Sequence, residues 1–396
     1  MQAIKFFFYI TSFFFLSLGC KKADSQVDSK PTKINQTKKV DVKASETLFE
    51  LGKFLNGTLQ NSNRSNLDSF LKANSYKLFQ VKIKNRWTNY LNSIYLPLVE
   101  WRKNQLKEEK PKTVVYPFSG PDFPNAFALY PDADFYIMLG LEAGGFEPNL
   151  EKMEHNKIAK GLNEFLDSIE SISRLNYFMT NKMKKNISAS IFKGTLPVIV
   201  GYLEFLGFVP LEARPIIIGS NGDILYLSSD DILKNPRYTK GFFSLEIIFK
   251  EKSTDKIKTL YFLSTNVANS ELEKNSGVTI FLERFGSFAC TFKAASYLLH
   301  YAHFSKFKEF ILSNSETIVM DDTGPPIKDL QKNFTIQVFG KYTRPIRLWK
   351  TKYQTTLSEL HNEQNSKPIS FKYGYGTLNH THHILIAKRK KKNATQ

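Results

Sequence analysis

Apolar positions change their spacing along the chain, and the changes outline its elements. Leu48, Leu51, Phe54 and Leu55 recur at helical intervals, as one buried face of a helix requires. Asn66 is placed to cap a helix over 67–73. Leu78, Phe79, Ile83, Trp87, Leu91, Ile94, Tyr95, Leu98 and Trp101 keep to one face of a longer helix. Pro97 should bend or split it, because proline lacks the N–H and its ring crowds the preceding turn. After Pro111 the pattern becomes short unbroken apolar runs. Residues 113–116 and 135–141 read as strands covered on both faces, with a short helix over 123–129 between them. That order, strand–turn–helix–strand, belongs to a parallel sheet.

Residues 150–182 return to helical spacing. The apolar stretch 187–208 is broken by Gly194, Pro197, Gly201 and Gly207 and carries Lys193 and Glu204. It predicts a buried core helix rather than a membrane span. Residues 214–265 read as a β-meander, with Asn221-Gly222 as a type I′ hairpin signal between strands at 215–218 and 224–227. Strands at 242–249 and 257–263 follow. A helix is expected over 287–312, then short strands at 317–320, 335–339 and 383–387. The fold class is α/β or α+β: a mixed β-sheet with a β-meander, covered by several long helices. The organisation expected is a helical segment at 46–110, a mixed α/β globular domain at 111–387 and a basic tail at 388–396.

The start of the chain alters the picture. Lys5 is followed by a phenylalanine-rich apolar run over 6–18, then Gly19, Cys20, Lys21 and Lys22. The run has the length of a signal-peptide core and is short of a spanning helix. Residues 16–20 resemble the lipobox of bacterial lipoproteins, in the relaxed form of spirochaetes, with Ser17 and Leu18 departing from the strict pattern. The resemblance implies a signal peptide at 1–19, cleavage before Cys20 and lipidation of Cys20. An ordinary secretory leader with a chance cysteine, or an uncleaved anchor, is the bland alternative. Residues 20–45 hold almost no apolar bulk and read as a flexible tether.

Of the two cysteines, lipidation of Cys20 leaves Cys290 without a partner, so the fold must rest on a hydrophobic core rather than on disulfides. At 396 residues, 42% apolar and 14% aromatic, the chain can build one. The formal net charge is +18. An exported address argues against nucleic acid as the partner. It leaves a solvated basic surface, or attraction to anionic lipid or an acidic polymer.

Chemistry is sparsely signalled. Residues 115–124 form a rigid turn after a strand, carrying Ser119 and Asp122, and Glu142 follows the next strand. Ligands of parallel sheets bind beyond such strand ends, so Ser119, Asp122 and Glu142 are candidates for one pocket; a tight turn capped by Asp122 is the structural alternative. The stretch faintly resembles the first half of a Rossmann-like methyltransferase, with one glycine where a glycine-rich loop is needed. It also resembles uncharacterised bacterial proteins, which carries no function across.

Asp321 and Asp322 precede a stiff turn and offer a carboxylate pair, for acid–base work, for binding a hard cation through oxygen, or for turn capping. His300 and His303, three apart on the expected helix, and His380 and His382, two apart on an expected strand, are weak metal candidates. Cys290 reads as a small apolar core residue. No cofactor motif appears. The resulting expectation is a membrane-anchored envelope lipoprotein with a ligand- or partner-binding domain. The alternative is an envelope enzyme whose acidic pocket joins the 117–122 and 321–326 turns.

Overall fold

The computed structural model describes residues 45–176, 191–375 and 382–391. The leader, Cys20, the tether to residue 44, residues 177–182 of the expected 150–182 helix, His380 and residues 392–396 lie outside them.

Among the described residues ten strands form one mixed sheet. Its centre is parallel, in the order β6 (Ile257–Ser264), β2 (Phe135–Gly140), β1 (Thr113–Tyr116), β7 (Phe288–Phe292) and β8 (Ser315–Met320). The meander extends one side antiparallel through β5 (Ser244–Glu251), β3 (Phe208–Ile218) and β4 (Ile224–Tyr226). On the other side β10 (His383–Arg389) pairs antiparallel with β8, and β9 (Phe334–Gly340) with β10. The fold is therefore α/β on a mixed sheet, with the central strands buried on both faces, as their unbroken apolar runs require.

Alternation along each strand assigns the two faces. Val114 and Tyr116 enter one core and Val115 the other. The first face carries α1 (Glu46–Leu55), α2 (Ser65–Leu71), α3 (Asn74–Tyr90), α4 (Leu96–Gln105), α5 (Phe123–Leu129), α6 (His155–Leu175) and α7 (Leu196–Phe205). The helices before residue 110 thus share one core with the sheet. The second face carries α8 (Gly277–Glu283), α9 (Ser305–Asn314), α10 (Ile327–Asn333) and α11 (Thr355–Glu363). Pro97 does split its helix: the backbone widens into one π turn at Leu91–Tyr95 and resumes as α4.

Several expectations need correction. Residues 287–312 are not one helix but β7, two 3₁₀ turns and α9. Phe288, Cys290 and Phe292 face the second core while Ala289 faces the first; period 2 was hidden because the following turns supply apolar residues at helical spacing. His300 and His303 consequently sit in separate turns, Leu298–His300 and Ala302–Phe304, not on a shared helix face. Among the described residues of the 187–208 stretch, 191–208, the helix occupies Leu196–Phe205, and Phe208 already begins β3. Among the described residues no helix is long and apolar enough to cross a membrane. Asn66 lies inside α2, whose first N–H groups are instead met by Glu151. Lys388 and Arg389 belong to β10 rather than to a solvated tail. The Arg389 guanidinium donates to the carbonyls of Leu312 and Ser315, which end α9 and begin β8.

Candidate functional site

The central strands place a crevice at one end of the sheet. β1 connects through α5, over the first face, to β2 on one side of it. β7 connects through α9, over the second face, to β8 on the other. Between β1 and β7 the two connections therefore leave in opposite directions. This is the arrangement in which doubly wound sheets open a ligand crevice beyond their carboxyl ends. A cavity of about 110 Å³ lies there. Ser119, Asp122, Glu142, Asn266, Lys293 and Ser296 are among its polar lining, and Phe118, Val267 and Phe304 are among its apolar walls.

Strand alternation builds the polar tier. Ala289, facing the first core, precedes Lys293 by two alternations, and Val114 precedes Tyr116 by one. Lys293 Nζ donates to Asp122 Oδ2 at 2.6 Å and to Asn176 Oδ1 at 2.8 Å. Tyr116 donates its hydroxyl proton to the same Asp122 oxygen at 2.8 Å. Both charged side chains are essentially out of solvent, at 1% and 2% exposure. Asp122 Oδ1 makes no hydrogen bond of ordinary geometry, although the Asn125 backbone N–H still favours its charge. Burial pushes the Asp122 carboxyl up, and Lys293 and Tyr116 oppose that. Burial pulls the Lys293 ammonium down, and Asp122 opposes that. Each partner is thus drawn toward its neutral form by desolvation and held charged by the other.

Asn176 joins this pair to the rest of the body. It closes α6 in the left-handed conformation, and its amide nitrogen donates to the Lys372 carbonyl. Three elements distant in sequence therefore meet on one ammonium: the turn after β1, the strand end of β7 and the end of α6.

Two loops facing the cavity hold residues with positive φ. Phe118 (57°) and Gly120 (54°) lie after β1, and Ala294 (54°), Ser296 (55°) and Tyr297 (54°) after β7. Left-handed backbone at non-glycine residues is costly, persists where the surroundings enforce it, and clusters at binding and active sites. Here the enforcement is visible. Asp321 Oδ2 accepts the Ala294 N–H at 3.0 Å, and the Thr323 hydroxyl oxygen accepts the Ala295 N–H at 2.7 Å. Asp321 Oδ1 in turn accepts from the Thr323 N–H and hydroxyl. Tyr297 donates to Asp322 Oδ2, and the Asp322 N–H donates to His383 Nε2 at 3.0 Å. Burial, then the neighbouring Asp322, push the Asp321 carboxyl up to about 6, against its hydrogen bonds and His383.

The candidate residues therefore divide. Ser119, Asp122 and Glu142 converge on the cavity. The 321–326 turn reaches the same end of the sheet, but Asp321 and Asp322 stand one layer behind and hold the wall. As a cap of α5, Asp122 makes only the weak contact with the Asn125 N–H and no side-chain bond of ordinary geometry; its principal partner is Lys293. The Ser119 hydroxyl donates to the Gly120 carbonyl at 2.9 Å, within its own turn. Glu142 folds back over Gly140, where any Cβ would run into its carboxylate. At Gly374 a Cβ would likewise meet the Asp321 carboxylate.

Lys293, Tyr116 and Asn176 were not anticipated. A lysine directly after an alternating apolar strand is the signal that could have found Lys293, had 288–292 been read as a strand. His382 immediately precedes β10 and lines a surface groove with His361 and Ser366, away from the crevice. Among the described residues no group of three or more histidine, cysteine or acidic side chains is arranged to hold a metal ion. Cys290 is fully buried in β7, and burial pushes its thiol up, which keeps it an unreactive core residue.

Compared with protein-family models, with curated proteins and with solved structures, the chain matches none of them.

Proposed function

We propose that this chain is a lipid-anchored envelope protein whose folded body binds a small polar ligand in the crevice between β1 and β7. The observation that carries the binding reading is the Asp122–Lys293 pair, buried on the lining of a cavity whose walls are held in costly backbone conformations. Burying two opposite charges seldom improves stability over apolar packing. Spending that cost and backbone strain at one spot is the pattern of a preorganised site. The carboxyl groups of Asp122 and Glu142 and the hydroxyls of Ser119 and Ser296 line the cavity, so the ligand should offer hydroxyl, amide or amine donors. An engineered cavity of 150 Å³ accommodates benzene, so a space of about 110 Å³ suits roughly four or five heavy atoms, a compact molecule or the end of a longer one.

The test is a calorimetric screen of the mature chain with monosaccharides, amino sugars, amino acids and short amines. A hit whose affinity falls at least tenfold in Glu142→Gln supports the reading. No binding across the panel, or binding that ignores Glu142→Gln and Lys293→Met, overturns it. For the anchor, labelling with an alkynyl fatty acid should mark the wild type and not Cys20→Ala. Equal labelling and membrane partition of both would refute lipidation, leaving an ordinary secretory leader if both are released and an uncleaved anchor if both stay in the membrane. In the cell or outer membrane, the strong excess of lysine and arginine over acidic residues would add attraction to anionic headgroups or acidic polymer.

A second reading, an envelope enzyme, is favoured by Asp122 and Lys293 themselves. A carboxyl drawn up and an ammonium drawn down by burial, adjacent on a cavity wall, are suited to hold and return a proton. In that case Tyr116 and Asn176 are positioning residues and Glu142 the ligand contact.

A further inference from the structure

The deep cavity is one end of a longer feature. A second, shallower cavity of about 370 Å³ adjoins it, and the two share Thr265 and Asn266. It continues across the same end of the sheet, over the ends of β6, β5 and β3. From β7 to β3 the sheet order is β7-β1-β2-β6-β5-β3. Those five inter-strand steps span about 24 Å at the usual strand spacing.

The lining of the second cavity has a consistent chemistry. Asn235, Asn266 and Asn275 each accept the backbone N–H two residues on, at 2.9, 3.0 and 2.8 Å. These bonds fix each side chain by its oxygen. Among the described residues none of the three amide nitrogens has a hydrogen-bond partner, so three oriented donors remain for something else. Phe242, 40% exposed, and half-buried Tyr238 offer ring surface along the same groove. Arg237 and Glu271 on its lining balance in charge.

We propose that this continuous groove binds a neutral oligosaccharide laid across the sheet end, its terminal group entering the deep cavity. Sugar rings present hydroxyl oxygens to fixed donors and an apolar C–H face to aromatic rings, the two features the groove combines. A peptide would instead seek an open strand edge, and the sheet's edges, β4 and β9, lie at its two far sides. The inference rests on the deep cavity being a ligand site, and it adds the ligand class and its extended form.

The probes are two neutral series of one to six units, β-1,4-linked glucose and β-1,4-linked N-acetylglucosamine, titrated calorimetrically into the mature chain. Affinity in at least one series should rise tenfold or more between one and four units and then level off. Phe242→Ala and Asn275→Ala should each bring the tetramer back toward the single unit, with the melting temperature unchanged in the first and lowered slightly in the second, which also loses the bond to the Gly277 N–H. Equal affinity for one and four units overturns the groove while leaving the deep cavity as a site. Failure of both series overturns the groove as well, and the small-ligand screen with Glu142→Gln then judges the cavity separately. Equal binding of a neutral hexapeptide, or indifference to both substitutions, overturns the oligosaccharide assignment.

Discussion

The sheet buries one lysine at each end, and they differ in what surrounds them. Lys258 stands at the start of β6, and its Nζ donates to the carbonyls of Pro131 (2.8 Å) and Ala133 (2.7 Å), with Glu251 at 3.6 Å. It ties down the loop that leads into β2, and none of its partners lines the crevice. Lys293, at the opposite end, has side-chain partners from two other elements and a cavity beside it. Burial lowers the pKa of both ammonium groups, so desolvation alone does not distinguish a fastening from a site. The distinction lies in the partners: backbone carbonyls need no tuning, whereas a buried carboxylate and a strained loop are expensive to maintain without a use.

The largest effect expected is from Lys293→Met. It leaves Asp122 buried without its counter-charge and should cost about 3–5 kcal/mol by urea denaturation. The double variant Asp122→Asn/Lys293→Met should regain most of that loss without regaining ligand binding. If the single variant were as stable as the wild type, the pair would not be energetically coupled and the contrast between the two ends would fail.

Next comes pH. Asp321 releases its proton near 6 in the folded chain against 3.8 for the free side chain, so folding favours its neutral form. Its contribution to stability is full below about pH 4 and is lost as pH rises through about 6, on the order of 2–3 kcal/mol. His300 and His361, whose ring pKa values burial lowers to about 4, act with the opposite sign. They favour the folded chain above about pH 6.5 and withdraw that as pH falls toward 4. The difference between wild type and Asp321→Asn, followed by melting temperature from pH 4 to 7, cancels the histidines. It should slope with pH; a flat difference would remove the carboxyl's role.

At the other end, Lys258→Met strands the buried Ala133 carbonyl and the part-buried Pro131 carbonyl and should cost about 2 kcal/mol while leaving ligand affinity unchanged. An affinity loss there would erase the functional contrast between the lysines.

How much of this could be read in advance follows from range. β1, α5 and β2 are local: unbroken apolar runs and a proline-rich turn specify them, so Ser119, Asp122 and Glu142 were found on the right loops. The hairpin at Asn221-Gly222 was legible as a hairpin but not as a type I′ turn: residues 219–223 form the loop between the paired Ile218 and Ile224, and Gly222 has positive φ while Asn221 does not. Lys293 was not legible, since its strand is only five residues long and the apolar turns after it mimic a helix. Asn176 is recruited by the end of a helix far away in sequence, and no spacing rule announces such a contact. Asp321 and Asp322 were noticed for their charge, but whether a carboxylate faces a ligand or props up a loop depends on which loop the sheet brings alongside it.

The left-handed backbone at Ala294 has a consequence for how this chain can be improved. Glycine adopts that conformation without penalty, so Ala294→Gly should raise stability by about 1 kcal/mol in the folded state, less whatever the looser unfolded chain takes back. The same change would let the loop wander from the position in which it shapes the cavity. Selection for heat resistance alone would then favour a substitution that selection for binding rejects, and a pool of variants sorted by each criterion in turn should part company at residue 294.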